Sequence, residues 1–241
     1  MLYVKEHPIA RWNVFKEYID KNILPSKDEF YFRGQSKYSW QLETAFDRKF
    51  KNYALPVKND IESKLIENFK VECEKLEELS IYLSDKNYVL ALAQHFGLPT
   101  RLLDWTHSPY IAAFFAFQEH FESGAVYSRK QDKVAVYVLN GNNPIWNVNN
   151  GVEVLKMTSK KNERLRNQAG VFTLSKTPFK TLEEFVEHNK VKNALTKISL
   201  PISEVKTAIK DLHLMGIKHS NLFPDLDGIS KAAIFKTLME Y

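Results

Sequence analysis

Residues 108–121, SPYIAAFFAFQEHF, constrain this chain more than any other stretch. Ser108 is the kind of hydroxyl that caps a helix, and Pro109 follows at the first helical position, where proline is tolerated. The run behind it mixes small alanines with bulky phenylalanines and is apolar on nearly every side. Such a helix has to be buried. Burial demands a substantial core, and 241 residues with 44% hydrophobic and 13% aromatic side chains supply one.

The elements expected around this helix alternate irregularly. WNVFKEYI within residues 10–22 places Trp12, Phe15, Tyr18 and Ile19 on one helical stripe ending before Pro25. EFYFRGQ (29–35) reads as an aromatic strand ending at Gly34. Residues 59–84 read as one long amphipathic helix capped by Asp60, with Leu65, Ile66, Phe69 and Leu76 inward. A helix at 87–96 closes at Gly97, and 98–107 reads as a loop. Strands are expected at 133–140, 169–175 and 195–201, and short helices at 181–189 and 203–214. A final helix begins at LFPDLDG (222–228), capped by Asp225 or Asp227. Helices come first and short strands are interspersed later, without βαβ alternation. The fold class is therefore α+β: N-terminal helices and a mixed, mainly antiparallel sheet. Neither a repeat nor a linker divides the chain, so residues 1–241 read as a single domain.

Several chemistries are disfavoured. No GxxxxGK[ST], GxGxxG or GxSxG pattern is present. The seven histidines are scattered and the lone cysteine, Cys73, has no pair, so no metal site is expected. Acidic neighbours make Cys73 a poor nucleophile. A single thiol points to a reducing compartment, and neither a signal peptide nor a membrane-spanning run is visible, so a cytoplasmic protein without membrane contact is expected. The net charge of +5 suits phosphate-bearing ligands, while RKFK (48–51) and KKNERLR (160–166) read as solvated faces.

Three polar clusters sit within apolar sequence. In the first, Arg33-Gly34-Gln35, the guanidinium either presents a planar fork to a phosphate or carboxylate or pairs with a buried acid. Gly34 would let the backbone approach a ligand. The second is QHFGLPTRLLDWTHSPY (94–110), with Gln94, His95, Arg101, Asp104, Trp105 and Thr106. Here Thr106 and Ser108 could help a helix N-terminus receive an anion. Arg101 and Asp104 could equally form an ion pair locking the loop, and Trp105 is either core or a stacking platform. In the third, RLRNQAGVFTLS, Gln168 precedes a strand and either reads a ribose hydroxyl or carboxamide, or satisfies a turn.

Taken together, YFRGQ (31–35), QHFGLPTRLLDWTHSPYIAAFFA (94–116), NQAGVF (167–172) and LFPDLDG (222–228) resemble, in order and character, the motifs of the FRG domain family. The resemblance spans about residues 29–235, with 1–28 as a helical extension. It implies a protein of bacteria or phages. A component of defence, toxicity or signalling, with the family motifs as scaffold, is a further expectation. A weaker resemblance is to ADP-ribosyltransferases, whose first motif holds NAD through an arginine or histidine. Their second motif ends a strand on a hydroxyl before an Ala/Phe-rich helix. On that scheme the fold is ADP-ribosyltransferase-like, NAD is the substrate, and a protein or nucleic acid is the acceptor. Arg33 grips the NAD phosphates or ribose and Thr106 braces the nicotinamide side. Gln168 stands nearest the place of the family's catalytic glutamate. A neutral amide positions a ribose without supplying negative charge, and Glu163 and Asp104 are the alternative carboxylates. Gln35, Gln94, His95, Arg101, Asp104 and Trp105 complete the expected ligand-binding set. The alternative is a nucleotide or nucleic-acid binding module without catalysis.

Overall fold

The computed structural model describes residues 3–76, 83–123, 132–156, 170–223 and 225–239. They form one α+β fold around a seven-stranded mixed sheet. Its strands are β1 (Lys5–Pro8), β2 (Phe30–Gln35), β3 (Leu102–Thr106), β4 (Lys133–Asn140), β5 (Val152–Leu155), β6 (Gly170–Ser175) and β7 (Leu195–Pro201). They lie in the order β1-β7-β4-β2-β3-β6-β5. β1 and β7 are parallel, and every other neighbouring pair among the described residues is antiparallel.

The described helices are α1 (Trp12–Tyr18), α2 (Ala45–Lys49), α3 (Leu55–Cys73), α4 (Lys86–His95), α5 (Pro109–Glu122), α6 (Leu182–His188), α7 (Val205–Leu214), α8 (His219–Leu222) and α9 (Leu226–Met239). Around α5 the chain builds the buried layer that its sequence demands. Ser108 caps it by accepting from the Ile111 N–H at 3.2 Å. Phe114, Phe117 and Phe121 are buried against Phe32 of β2, Val134, Val136 and Val138 of β4, and Ile198 and Leu200 of β7. Burying each phenylalanine contributes about 1.5–3 kcal/mol relative to exposure. Trp12, Phe15 and Ile19 close one flank of this core, and Ala208, Ile209 and Leu212 of α7 close another. The opposite face of the sheet carries Tyr31, Trp105, Tyr137, Val171 and Leu195, covered by Leu182, Phe185 and Val186 of α6. The result is three layers, helix–sheet–helix.

Four expectations need correction. Residues 102–106 are a strand, not a loop: LLDWT is too short to display alternation, and its pairing with β6 is long-range. The helix expected at 59–84 begins at Leu55 with Pro56 in its first turn, not at an Asp60 cap, and ends at Cys73. Leu76 is exposed rather than inward. β1 and β5, each of four residues, were not expected at all, being too short to carry a period. Gln168 and Glu163 lie outside the described residues.

Candidate functional site

The seven strands form two groups joined at a narrow seam. β2 pairs with β4 along all six of its residues but with β3 at a single position, Phe32↔Thr106. Beyond that point the two strands separate. A cavity of about 570 Å³ opens there, within the size range of small-molecule sites. Its lining includes Phe32, Arg33, Gly34 and Gln35 in succession. Consecutive residues of a strand point to opposite faces, so all four can line one cavity only if it wraps the edge of β2 at the seam.

Arg33 is fixed across this seam. Its Nη1 donates to the Asp104 carbonyl at 2.8 Å and lies 3.5 Å from the Asp104 carboxylate. Its Nε is buried with no hydrogen-bond partner among the described residues. Asp104 in turn accepts from Gln94 Nε2 at 2.7 Å, and Gln94 Oε1 accepts from Thr100. Gln94 and Asp104 thus hold the arginine from the β3 side. The role expected of Gly34 is different in the structure. A Cβ there would sit 1.9 Å from the Ala112 carbonyl and 2.7 Å from the Ala116 nitrogen, so the missing side chain admits α5 rather than a ligand.

Thr106 ends β3 and accepts from the Ser108 N–H at 3.1 Å, which ties the strand end to the start of α5. Free N–H groups and the positive end of the helix dipole lie at that terminus. Trp105 lines the cavity while remaining 3% exposed, its Nε1 donating to Thr173 at 3.0 Å. It is a core residue with one surface on the site. Gln35 and His95 also line the cavity.

Arg101 does not line it. This side chain is fully buried, stacked 4.8 Å over Phe46 and 3.7 Å from Glu62 of α3, which Lys176 also approaches at 3.5 Å. The Arg101–Asp104 pair allowed by the sequence does not form, because Asp104 is engaged by Arg33 and Gln94. Arg101 instead ties α3 to the segment leading into β3. Seven of the nine expected site residues, Arg33, Gln35, Gln94, His95, Asp104, Trp105 and Thr106, therefore converge on one cavity.

Other lining residues were not expected. Ala112, Phe115, Gln118 and Glu122 line the cavity from α5. Their spacing of three, three and four is a helical stripe that the sequence displays. His219, Phe223 and Lys231 come from the C-terminal region, with no local signal to associate them. His219 is buried and places Nε2 3.1 Å from Glu122 Oε1. Trp40 stands at the rim, 46% exposed, with the Lys37 ammonium 5.2 Å from its ring.

No group of three His, Cys, Asp or Glu side chains among the described residues could hold a metal ion. No described helix is long and apolar enough to cross a membrane. No curated protein and no solved structure matches the chain. Residues 28–124 match the family model described as FRG domain. The match holds the Phe32-Arg33-Gly34 strand, the Gln94–Thr106 stretch and all of α5, whereas the 167–172 and 222–228 motifs lie beyond it. The arginine, the glycine under α5 and the strand-to-helix junction that build the cavity all fall within the residues that match the FRG domain model.

Proposed function

We propose that the cavity binds NAD and that the protein is an ADP-ribosyltransferase-like or NAD-glycohydrolase-like enzyme. The observation that carries this reading is Arg33. Its partly unpartnered guanidinium is held by Asp104 at the seam where the sheet opens, beside the Thr106–Ser108 helix start. A planar cation next to a helix N-terminus suits a pyrophosphate. In the reaction the glycosidic C–N bond of NAD breaks and nicotinamide leaves with the bonding pair. The ribose carbon, cationic in the transition state, takes an oxygen from water or an acceptor, which loses its proton. Asp104 and Glu122 are the carboxylates lining the cavity among the described residues.

The test is direct. Purified protein releases nicotinamide from NAD, with or without added protein or nucleic-acid acceptor, and Arg33→Ala abolishes release while remaining folded. Absence of release and of NAD binding at high protein concentration overturns the reading. A role in conflict between bacteria and phages is part of the same proposal: expression arrests growth, and Arg33→Ala relieves the arrest.

A second reading, nucleotide or nucleic-acid binding without turnover, draws on the exposed Trp40 and its Lys37 neighbour at the rim, an arrangement suited to stacking a base. It predicts binding that weakens steeply with salt and no nicotinamide release.

A further inference from the structure

The end of the cavity away from Arg33 is also built. α5 runs alongside it, with Gly34 packed against Ala112 and Ala116 and Glu122 as the last residue of the helix. At 1.5 Å per residue Glu122 lies about 9–15 Å along the helix axis from that contact. That spacing is longer than an inorganic phosphate held at Arg33 can bridge.

Two acceptor groups stand at and before the far end. Gln118 Oε1 is buried and has no hydrogen-bond partner among the described residues. Glu122 is held by His219, whose ring is confined by Phe114 at 4.9 Å and Phe235 at 5.2 Å. A carboxylate on the last residue of a helix opposes the helix dipole, so its position is not explained by helix stability. Both groups accept hydrogen bonds and both line the cavity that Arg33 enters.

We propose that Gln118 and Glu122 form a second recognition point that accepts hydrogen bonds from the hydroxyl- or amino-bearing end of the nucleotide, with His219 as the residue that positions Glu122. The inference rests on the NAD reading above and adds to it. The site takes a ligand anchored by phosphate at one end and by donor groups at the other, rather than an isolated phosphate.

The experiment measures affinity by calorimetry for two probes, NAD and inorganic pyrophosphate, in the wild type, Glu122→Gln, Gln118→Leu and Arg33→Ala. Glu122→Gln keeps the shape of the carboxylate but loses its charge, and should weaken NAD binding about tenfold or more, the value of hydrogen bonds to a charged acceptor. Gln118→Leu should weaken it about fivefold, and it leaves the His219–Glu122 contact in place should the first variant fold poorly. Both should leave pyrophosphate affinity within about twofold of the wild type, whereas Arg33→Ala weakens both probes. NAD affinity unchanged in folded Gln118→Leu and Glu122→Gln overturns the inference alone. Equal losses for NAD and pyrophosphate overturn it too, since the effect would then be collapse of the cavity. A wild type that binds no NAD overturns the functional reading and this inference with it.

Discussion

Arg33 and Arg101 are the same residue type within one family match, yet the structure gives them opposite tasks. The sequence places both in polar clusters beside apolar runs, and local composition cannot separate them. What separates them is the partner each meets after folding. Arg33 crosses a seam to a backbone carbonyl and lines the cavity. Arg101 is sealed beside Glu62 from a helix nearly 40 residues earlier, a contact no periodicity reports. Two outcomes follow. On the proposed NAD reading, Arg101→Met should leave NAD affinity unchanged, because Lys176 remains beside Glu62 and the cavity is untouched. Glu62→Leu strands the buried guanidinium and should cost about 3–5 kcal/mol in urea unfolding. Gly34 carries the third residue-scale outcome. With a Cβ 1.9 Å from a helix carbonyl, Gly34→Ala should cost about 3 kcal/mol, at the upper end of overpacking, and a thermal melt would show it. A melting temperature equal to the wild type would mean that α5 does not cross β2 this closely.

At the scale of elements, legibility followed length and burial. α5, β4 and β7 were readable because each carries a strong pattern over seven or more residues, with a cap or turn at its ends. β3 was not, although it carries Asp104 and Thr106. Its five residues include one exposed side chain between buried ones, and it is a strand because β6 pairs along its whole length. The start of α3 was misplaced for a related reason. Asp60 looks like a cap, but the helix starts at Leu55, with Pro56 in its first turn, and is held through Glu62, a buried carboxylate that a hydrophobic count treats as exposed. Where caps were identified correctly their worth can be measured. Ser108 closes the first turn of α5, and Asp225 accepts from the Gly228 N–H at 2.8 Å at the start of α9. Ser108→Ala should cost about 1 kcal/mol of global stability, because α5 is the central layer. On the proposed NAD reading it should also lower NAD affinity through the altered helix start beside Thr106. Asp225→Ala should cost a similar amount without touching the Arg33 end of the cavity.

For the whole molecule, the decisive feature is that the sheet is two groups of strands meeting at one register position. β1, β7, β4 and β2 form one group, and β3, β6 and β5 the other. α5 packs on β2, β4 and β3 and so keeps the groups together while the seam stays open. The four-stranded group has its own polar lock on the face opposite α5. The Tyr137 hydroxyl is 2.7 Å from Glu183 Oε1 on α6 and 2.9 Å from the Trp40 carbonyl. Lys197 of β7 lies 4.1 Å from the Tyr38 ring and 5.3 Å from that of Tyr137. Burial, reinforced by the Glu183 carboxylate, holds the Tyr137 phenol well above its ordinary value of 10.0. Burial and Glu6 push Tyr38 up to about 12. A phenol that ionises less readily when folded stabilises the fold fully below the unfolded value. That contribution is lost as pH rises through the folded one. Burial of Lys197 acts in the opposite sense, since its ammonium is disfavoured in the fold and its release of a proton at high pH relieves that cost. Within the lock two raised phenols stand against one lowered ammonium, and burial raises the phenols of Tyr18, Tyr31 and Tyr110 as well, so stability should decline from about pH 10 upward, in the window set by the tyrosines. Urea midpoints measured at pH 8 and at pH 11 would show the decline, and Tyr137→Phe, which removes the phenol most enclosed by the lock, should make it shallower. A decline equally steep in Tyr137→Phe would move its origin away from this lock and leave the joining of the two groups to α5 and the seam.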